Sequence, residues 1–482
     1  MRREKRESRR RFLTTMGLAG ASLALSRRPA AAGPAKRPNL LFIFADDMRA
    51  DCIGALGNPH IKTPNLDALV RRGMAFSRVY CMGAMVGAVC TPSRTMLLTG
   101  RSLFHIPAQD GRGEYALLAK ALSAGGYDTF HLGKRGNSFV LGMEAFDKCL
   151  YASTDAAERA ESSQKTADGV IEFLRNRPGE KPFFVYMAPP VPHDPRVAPK
   201  EFMNQYDPEK IPTPVSFLPY HPFDNGDMVV RDELLAPHPR TPEIIRRHLA
   251  DYYGCVTCFD YHIGRILAVL KESGQLDNTI IVFTGDNGLS LGDHGLLGKQ
   301  NLYEFGGMHV PLVIAGPGIS HGRSDAFVYL FDLFPTFCEL TGSPVPVLVE
   351  SKSFAPILAG KTTQVRDHIF TAYKNVQRAV RDNRWKLIRY PQINRTQLFD
   401  LQNDPHELNN LADKPDSADK IKEMTALLAT AQKECDDTCP LTSDNPQDPA
   451  WSPDQAKSAR ETLAKKTPKA GKAKKAKKET PR

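Results

Sequence analysis

The chain has 482 residues, 41% hydrophobic and 24% charged. That suffices for one large α/β domain with an appendage and excludes a disordered or repeat-built chain over most of the length. The formal net charge of +10 would suit a nucleic-acid or anionic-membrane partner, but it sits at the two ends. Residues 1–37 hold eleven Lys/Arg against two Asp/Glu and residues 451–482 hold eleven against three, which leaves −7 for residues 38–450. A mildly acidic body removes the main support for nucleic-acid binding.

From the N-terminus, Ser8-Arg9-Arg10-Arg11-Phe12-Leu13 runs into an uncharged stretch from Thr14 to Ser26 and then Ala30-Ala31-Ala32. This pattern predicts a twin-arginine signal peptide and spacer over 1–37, with a solvated basic tail as the alternative. It implies the twin-arginine export machinery as a partner and a periplasmic or secreted protein. The apolar core of the signal falls short of the ~20 residues a membrane span needs, so no transmembrane segment is expected.

The first strand is expected at Asn39 to Ala45. Thr63-Pro64-Asn65 caps a helix through Arg72 that stops at Gly73. Strands follow at Tyr127 to Leu132 and Pro182 to Ala188. Thr241-Pro242-Glu243 opens a long helix whose Ile244, Ile245, Leu249, Val256, Phe259, Ile263 and Leu267 recur at helical spacing until Gly274, and Thr279 to Thr284 is the next strand. Apolar strands alternating with helices argue for a largely parallel sheet covered on both faces. Beyond about residue 365 the pattern changes to short alternating segments, including Gln377 to Val380 and Trp385 to Tyr390, with a final helix near Ala418 to Lys433. The expected organisation is a catalytic α/β domain at 38–364, a small antiparallel-sheet subdomain at 365–450 and a basic disordered tail at 451–482, the last because its Lys-rich composition lacks apolar residues to bury.

Nine cysteines, an odd number, leave at least one thiol unpaired or chemically used in an exported chain. Cys255 and Cys258 lie three apart inside a helical pattern without a second ligand pair, which favours buried thiols or a disulfide over a zinc knuckle. Cys435 and Cys439 are close enough in sequence to pair.

Chemistry in doubly wound sheets gathers beyond the carboxyl ends of the strands. Asp46-Asp47 directly follow the first expected strand and Asp286-Asn287 directly follow the strand at 279–284. Three carboxylates and a carboxamide make a hard oxygen cage for Ca²⁺, with Mg²⁺ as the alternative.

Between them lies Cys90-Thr91-Pro92-Ser93-Arg94-Thr95-Met96-Leu97-Leu98-Thr99-Gly100-Arg101. This run resembles the signature of type I sulfatases, in which the cysteine is converted to Cα-formylglycine by a maturation enzyme. The resemblance extends through Gly133-Lys134, the proline-rich segment around His193, Thr284-Gly285-Asp286-Asn287-Gly288 and Gly292 to Lys299, and Leu398-Phe399-Asp400-Leu401 is similar to that family's C-terminal region. It implies an alkaline-phosphatase-like fold and a sulfuric ester hydrolase acting on a sulfated carbohydrate. By the same resemblance, Asp46, Asp47, Asp286, Asn287 and an oxygen on residue 90 would hold Ca²⁺. Arg94 would orient the modified side chain, Lys134 and Lys299 would contact sulfate, and His193 would protonate the leaving alcohol.

The chemistry has an independent logic. A thiol attacking ester sulfur would leave an intermediate that water hydrolyses with difficulty. A hydrated aldehyde attacks through one hydroxyl, releases the alcohol, and expels sulfate when the other hydroxyl re-forms the aldehyde. Two departures from the family pattern stand out. Gly136 occupies the position where relatives often carry a histidine beside the formylglycine, and His309 stands where many carry arginine; His309 is either a compensating substrate-binding residue or a structural histidine. Two other readings keep this fold: a phosphate or phosphonate monoester hydrolase, and a catalytically weak sulfated-glycan binding protein.

Overall fold

The structure, a computed structural model, describes residues 36–108 and 110–466. The export signal expected over 1–37 lies almost wholly outside the described residues. Among the described residues fourteen strands occur in chain order: β1 (Asn39–Ala45), β2 (Met74–Tyr80), β3 (Gly83–Ala84), β4 (Asp128–Gly133), β5 (Lys148–Tyr151), β6 (Phe183–Ala188), β7 (Thr279–Gly285), β8 (His309–Ala315), β9 (Gly322–Ser324), β10 (Val328–Tyr329), β11 (Ile369–Tyr373), β12 (Gln377–Arg381), β13 (Trp385–Tyr390) and β14 (Arg395–Asp400).

The main sheet runs β10-β2-β8-β7-β1-β6-β4-β5, with β9 on β2. Its centre, β7-β1-β6-β4, is parallel, and β8 is the antiparallel member. The continuous apolar run of β1 follows from burial on both faces. Leu40, Phe42 and Phe44 enter one core layer, with Tyr186 and Phe337, while Leu41, Ile43 and Ala45 enter the other. The second layer is covered by the helix Pro242–Glu272, whose Ile245, Leu249, Val256, Phe259 and Ile263 are buried, as the spacing predicts. Thr241 caps that helix by accepting from Ile244 N.

The helix Pro64–Arg72 is capped differently from expectation. Thr63 makes no side-chain cap bond; Asp260, from the long helix, accepts from Asn65 N at 3.1 Å and from Leu66 N at 2.7 Å. Its remoteness in sequence hides this cap from local reading.

The second sheet runs β14-β13-β12-β11-β3 and is antiparallel except where β3 joins β11. That junction was not expected, since β3 precedes Cys90 in the chain. Gly83 makes it possible: its φ is +131°, and a Cβ there would lie 1.8 Å from Ala372 O. The helix Ala418–Glu434 buries Met424, Leu428 and Ala431 against this sheet.

Within the stretch expected to be a tail, Pro453–Lys466 is instead helical. It follows Trp451, whose Nε1 donates to His221 O at 2.8 Å, and Ala456 is buried. Composition pointed to disorder because it weighs charge and not tertiary contact; residues 467–482 lie outside the described set. All nine cysteines are free thiols, Cys435 and Cys439 included.

Candidate active site

The site is built from neighbouring strand ends. β1 pairs with β7 in parallel with Ala45 opposite Gly285, so Asp46-Asp47 and Asp286-Asn287 emerge side by side. Asp286 N donates to Ala45 O at 3.0 Å and Asp47 N to Asp286 Oδ1 at 3.0 Å. On the other flank of β1, β6 leads to His193 through a segment whose Val191 O accepts from Asp46 N at 2.8 Å. The next strand, β4, leads to Lys134. Four adjacent strands thus deliver their following residues to one place.

Cys90 reaches that place as the first residue of the buried helix Cys90–Thr99. Its Sγ lies 3.3 Å from Asp46 Oδ1 and 3.5 Å from Asp47 Oδ1. One ligand atom each from Asp46, Asp47, Cys90 and Asp286 lie within 4.8 Å of one another. Asn287 Nδ2 donates to Asp47 Oδ1 at 2.8 Å, and its buried Oδ1 has no hydrogen-bond partner. A buried acceptor without a donor, beside three carboxylates, fits a hard divalent cation.

Cations surround the cage. Lys134 Nζ donates to both carboxylate oxygens of Asp46 at 2.8 and 2.7 Å. Lys299 Nζ donates to Asp47 Oδ1 at 2.5 Å and to Cys90 Sγ at 3.2 Å. Arg94, 1% exposed, donates from Nε to Asp286 Oδ2 at 2.9 Å, while Nη1 and Nη2 are buried without hydrogen-bond partners and Nη2 stands 3.7 Å from Asp46 Oδ1. That burial excludes the surface salt bridge that is the ordinary reading of an arginine at this spacing. His193 Nδ1 donates to Asp194 O at 2.7 Å, and Nε2 stands 3.7 Å from Asp47 Oδ2.

The electrostatics follow from burial and charge together. Burial opposes ionisation of Asp46 and Asp47, but Lys134 dominates the opposing charges at Asp46 and Lys299 those at Asp47, holding Asp46 well below the usual carboxylate range and Asp47 at about 2. Asp286 is pushed up, because burial and the neighbouring Asp46 outweigh Arg94. Burial, then Asp286, pushes the Cys90 thiol well up. An unmodified Cys90 is therefore protonated and a weak nucleophile.

His309 is not brought to the cage. Its Nε2 lies 2.9 Å from Ser77 O and its ring stacks on Tyr80 at 5.0 Å, beside the Glu304 carboxylate that Arg381 and Lys386 share. The resemblance left His309 either a compensating substrate-binding residue or a structural histidine; β8 pairs with β2 here with His309 opposite Tyr80, and these contacts are those of a structural histidine. Gly136 lies on an exposed loop, where an added Cβ would meet nothing within 4 Å. The insertion from about Asn204 to Arg240 is rich in proline and aromatics, a composition that suits either a rim of the substrate pocket or packing; Tyr206 and Phe223 are buried in the core, while Tyr220 is exposed.

Sequence reasoning missed Tyr252. Its hydroxyl donates to Asp47 O at 2.6 Å and accepts from Arg49 N at 2.9 Å. Asp47 sits at φ 66°, a left-handed conformation unfavourable for a non-glycine residue, so this anchor helps hold a strained ligand backbone. No local signal marks Tyr252, since it is one core position among many on its helix.

A parallel-centred α/β sheet with a caged acidic site at its strand ends and a small flanking antiparallel sheet is the alkaline-phosphatase-like fold that the sequence led us to expect. The solved structure of a phosphonate monoester hydrolase of Agrobacterium radiobacter has this fold, with a TM-score of 0.72 at 24% identity over 83% of this chain and 96% of that one. So does a structure solved in complex with its substrate D-glucosamine-2-N,6-O-disulfate, with a TM-score of 0.69 at 24% identity over 84% and 99%. In sequence, an N-acetylglucosamine-6-O-sulfatase of Bacteroides thetaiotaomicron is 27% identical over 88% of this chain and 91% of its own length. Residues 38–343 match the sulfatase family, and residues 292–434 match the N-sulphoglucosamine sulphohydrolase C-terminal family. The chain belongs to the sulfatase family, and it is an enzyme that hydrolyses sulfate esters.

Proposed function

We propose that the chain is a calcium-dependent sulfatase that acts on a sulfated carbohydrate through a Cα-formylglycine at position 90. The observation that carries this is the convergence of Asp46, Asp47, Asp286 and position 90 within 4.8 Å, with Asn287 Oδ1 unpartnered beside them. Cys90 Sγ stands where an oxygen of the modified side chain would lie. Bound Ca²⁺ would supply a Lewis acid that lowers the pKa of that oxygen and offsets sulfate charge.

The chain's own residues supply the rest. Lys299, touching position 90, and Lys134 would neutralise the sulfate oxygens as charge develops. Arg94 Nη1 and Nη2, which have no hydrogen-bond partner, would orient the modified side chain. The Nδ1 bond of His193 to Asp194 O fixes the ring and leaves Nε2 on the Asp47 side, where it would pass a proton to the departing alcohol. Support for a carbohydrate comes from the Bacteroides relative, an N-acetylglucosamine-6-O-sulfatase. Export by the twin-arginine route to the periplasm or beyond is supported by Arg9-Arg10 and the small-residue run after them. Among the described residues no helix is long and apolar enough to cross a membrane. A maturation enzyme would act on Cys90 before export.

The test is mass spectrometry of the peptide containing residue 90, from protein made in its own host, with a desulfation screen over sulfated saccharides. An aldehyde together with sulfate release is expected; an unaltered thiol in active protein rejects the reading. A second reading, phosphonate or phosphate monoester hydrolysis, draws on the shared fold. A phosphate monoester carries about one more negative charge than a sulfate ester near neutral pH, so turnover of matched aryl sulfate and aryl phosphate separates the two. Tight glycan binding without sulfate release by aldehyde-bearing protein would instead mark a catalytically weak binder.

A further inference from the structure

Three segments far apart in the chain meet at the amide of one buried side chain, Gln300. Its Oε1 accepts from Lys299 N at 3.0 Å. Its Nε2 donates to Gly87 O at 3.1 Å and to Asp232 Oδ2 at 2.9 Å. Gly87 precedes Cys90 by three residues, Lys299 carries the ammonium that lies 3.2 Å from Cys90 Sγ, and Asp232 belongs to the insertion at 204–240. Gly298 permits the arrangement, because a Cβ there would lie 2.4 Å from Gln300 Oε1 and 3.0 Å from Asp232 Cβ.

The neighbouring Glu233 grips the same loop. Its carboxylate accepts from Leu297 N at 3.0 Å and Gly298 N at 2.7 Å, and Arg240 holds it at 2.8 Å. Gln377 on β12 donates to Gln300 O at 3.1 Å and to Asn225 O at 3.0 Å, so the second sheet supports the cluster from behind. Both N–H groups and the oxygen of the Gln300 carboxamide are used. A glutamine so bound has one orientation, which relates the loop presenting Lys299 to the loop presenting position 90.

We propose that Gln300, held by Asp232, is a positioning residue that sets the reach of Lys299 to the reacting group, which makes the insertion part of the catalytic scaffold rather than only a rim for substrate. This rests on the assignment of Lys299 to sulfate. Gln300→Glu keeps the size and the acceptor for Lys299 N, but turns an oxygen toward Asp232 and Gly87 O, so the loops separate. Misplacement of a catalytic group by about 1 Å costs on the order of 10²-fold in rate.

The experiment compares Gln300→Glu, Asp232→Asn and their double variant in the aldehyde-bearing enzyme, by aryl sulfate hydrolysis and by calorimetric titration with inorganic sulfate. Gln300→Glu is expected to lower kcat/KM by about 10²-fold and to weaken sulfate binding. Adding Asp232→Asn restores a donor–acceptor pair with its polarity reversed and is expected to recover at least about tenfold of that loss, a coupling that independent structural damage at the two sites would not produce. An unchanged rate in Gln300→Glu, or no recovery in the double variant, overturns the proposal. Should Gln300→Glu fail to fold, Asp232→Ala removes the same hold, and an unchanged rate in that variant is equally fatal. If the aldehyde-bearing wild type releases no sulfate, the functional reading fails separately; inorganic sulfate affinity then decides, and equal affinity in wild type and Gln300→Glu overturns the positioning role.

Discussion

Cys90 illustrates why a proposed reacting side chain and its surroundings have to be considered together. Burial, then Asp286, pushes its thiol well up, while the Lys299 ammonium lies 3.2 Å from its Sγ and Lys134 is bound to the adjoining Asp46. Cys90→Ala is expected to lower turnover by more than about 10⁴-fold while calorimetry finds calcium still bound, because the oxygen cage persists. Asp47→Ala is expected to weaken calcium binding and activity together; full activity with unchanged calcium affinity would remove Asp47 from the ligand set. His309→Ala belongs to a different part of the protein. Loss of the Tyr80 stack is expected to lower stability by about 1–2 kcal/mol in urea titrations, with sulfate release close to wild type.

Between elements, the largest effects come from contacts that join distant segments. Asp260 caps the helix Pro64–Arg72 from outside it, and burial, opposed by the bonds from Leu66 and Asn65, raises its pKa from 3.8 to about 6. A carboxyl with a raised folded-state pKa takes up a proton on folding between those values. Its contribution is therefore full below pH 3.8 and lost as pH rises through about 6. The stability of wild type relative to Asp260→Asn is expected to shrink from pH 4 to pH 7, as read by urea unfolding at each pH; a constant difference would contradict the assignment. Gly83→Ala is expected to cost at least about 3 kcal/mol, because the new Cβ meets the Ala372 carbonyl in a backbone conformation that L-residues avoid.

For the folded protein as a unit, the cation proposed for the cage would add stability to the folded state. Asp46, Asp47 and Asp286 are buried with one ligand atom each within 4.8 Å of the others, and a ligand that binds only the folded state adds about 2.7 kcal/mol when its free concentration exceeds Kd by about a hundredfold. Chelation with EGTA is expected to lower Tm by several degrees, and calcium to restore it. A Tm indifferent to both would deny the site its cation.

The primary structure sufficed for the α/β class, the central strands, the long helix and the oxygen cage, because buried parallel strands are continuous apolar runs and their ends collect polar residues. Once Asp46-Asp47 and Asp286-Asn287 follow such strands, a parallel pairing of β1 with β7 places them side by side. The same local logic failed at several positions whose partner lies far away in the chain. Asp260 replaced Thr63 as the cap, Tyr252 anchored Asp47, β3 joined a sheet formed hundreds of residues later, His309 turned toward Tyr80, and Pro453–Lys466 formed a helix after Trp451 found His221. Spacing and composition encode what a residue prefers on its own. Which neighbour satisfies that preference is settled by packing, where a single hydrogen bond or ring contact between remote segments outweighs the local tendency.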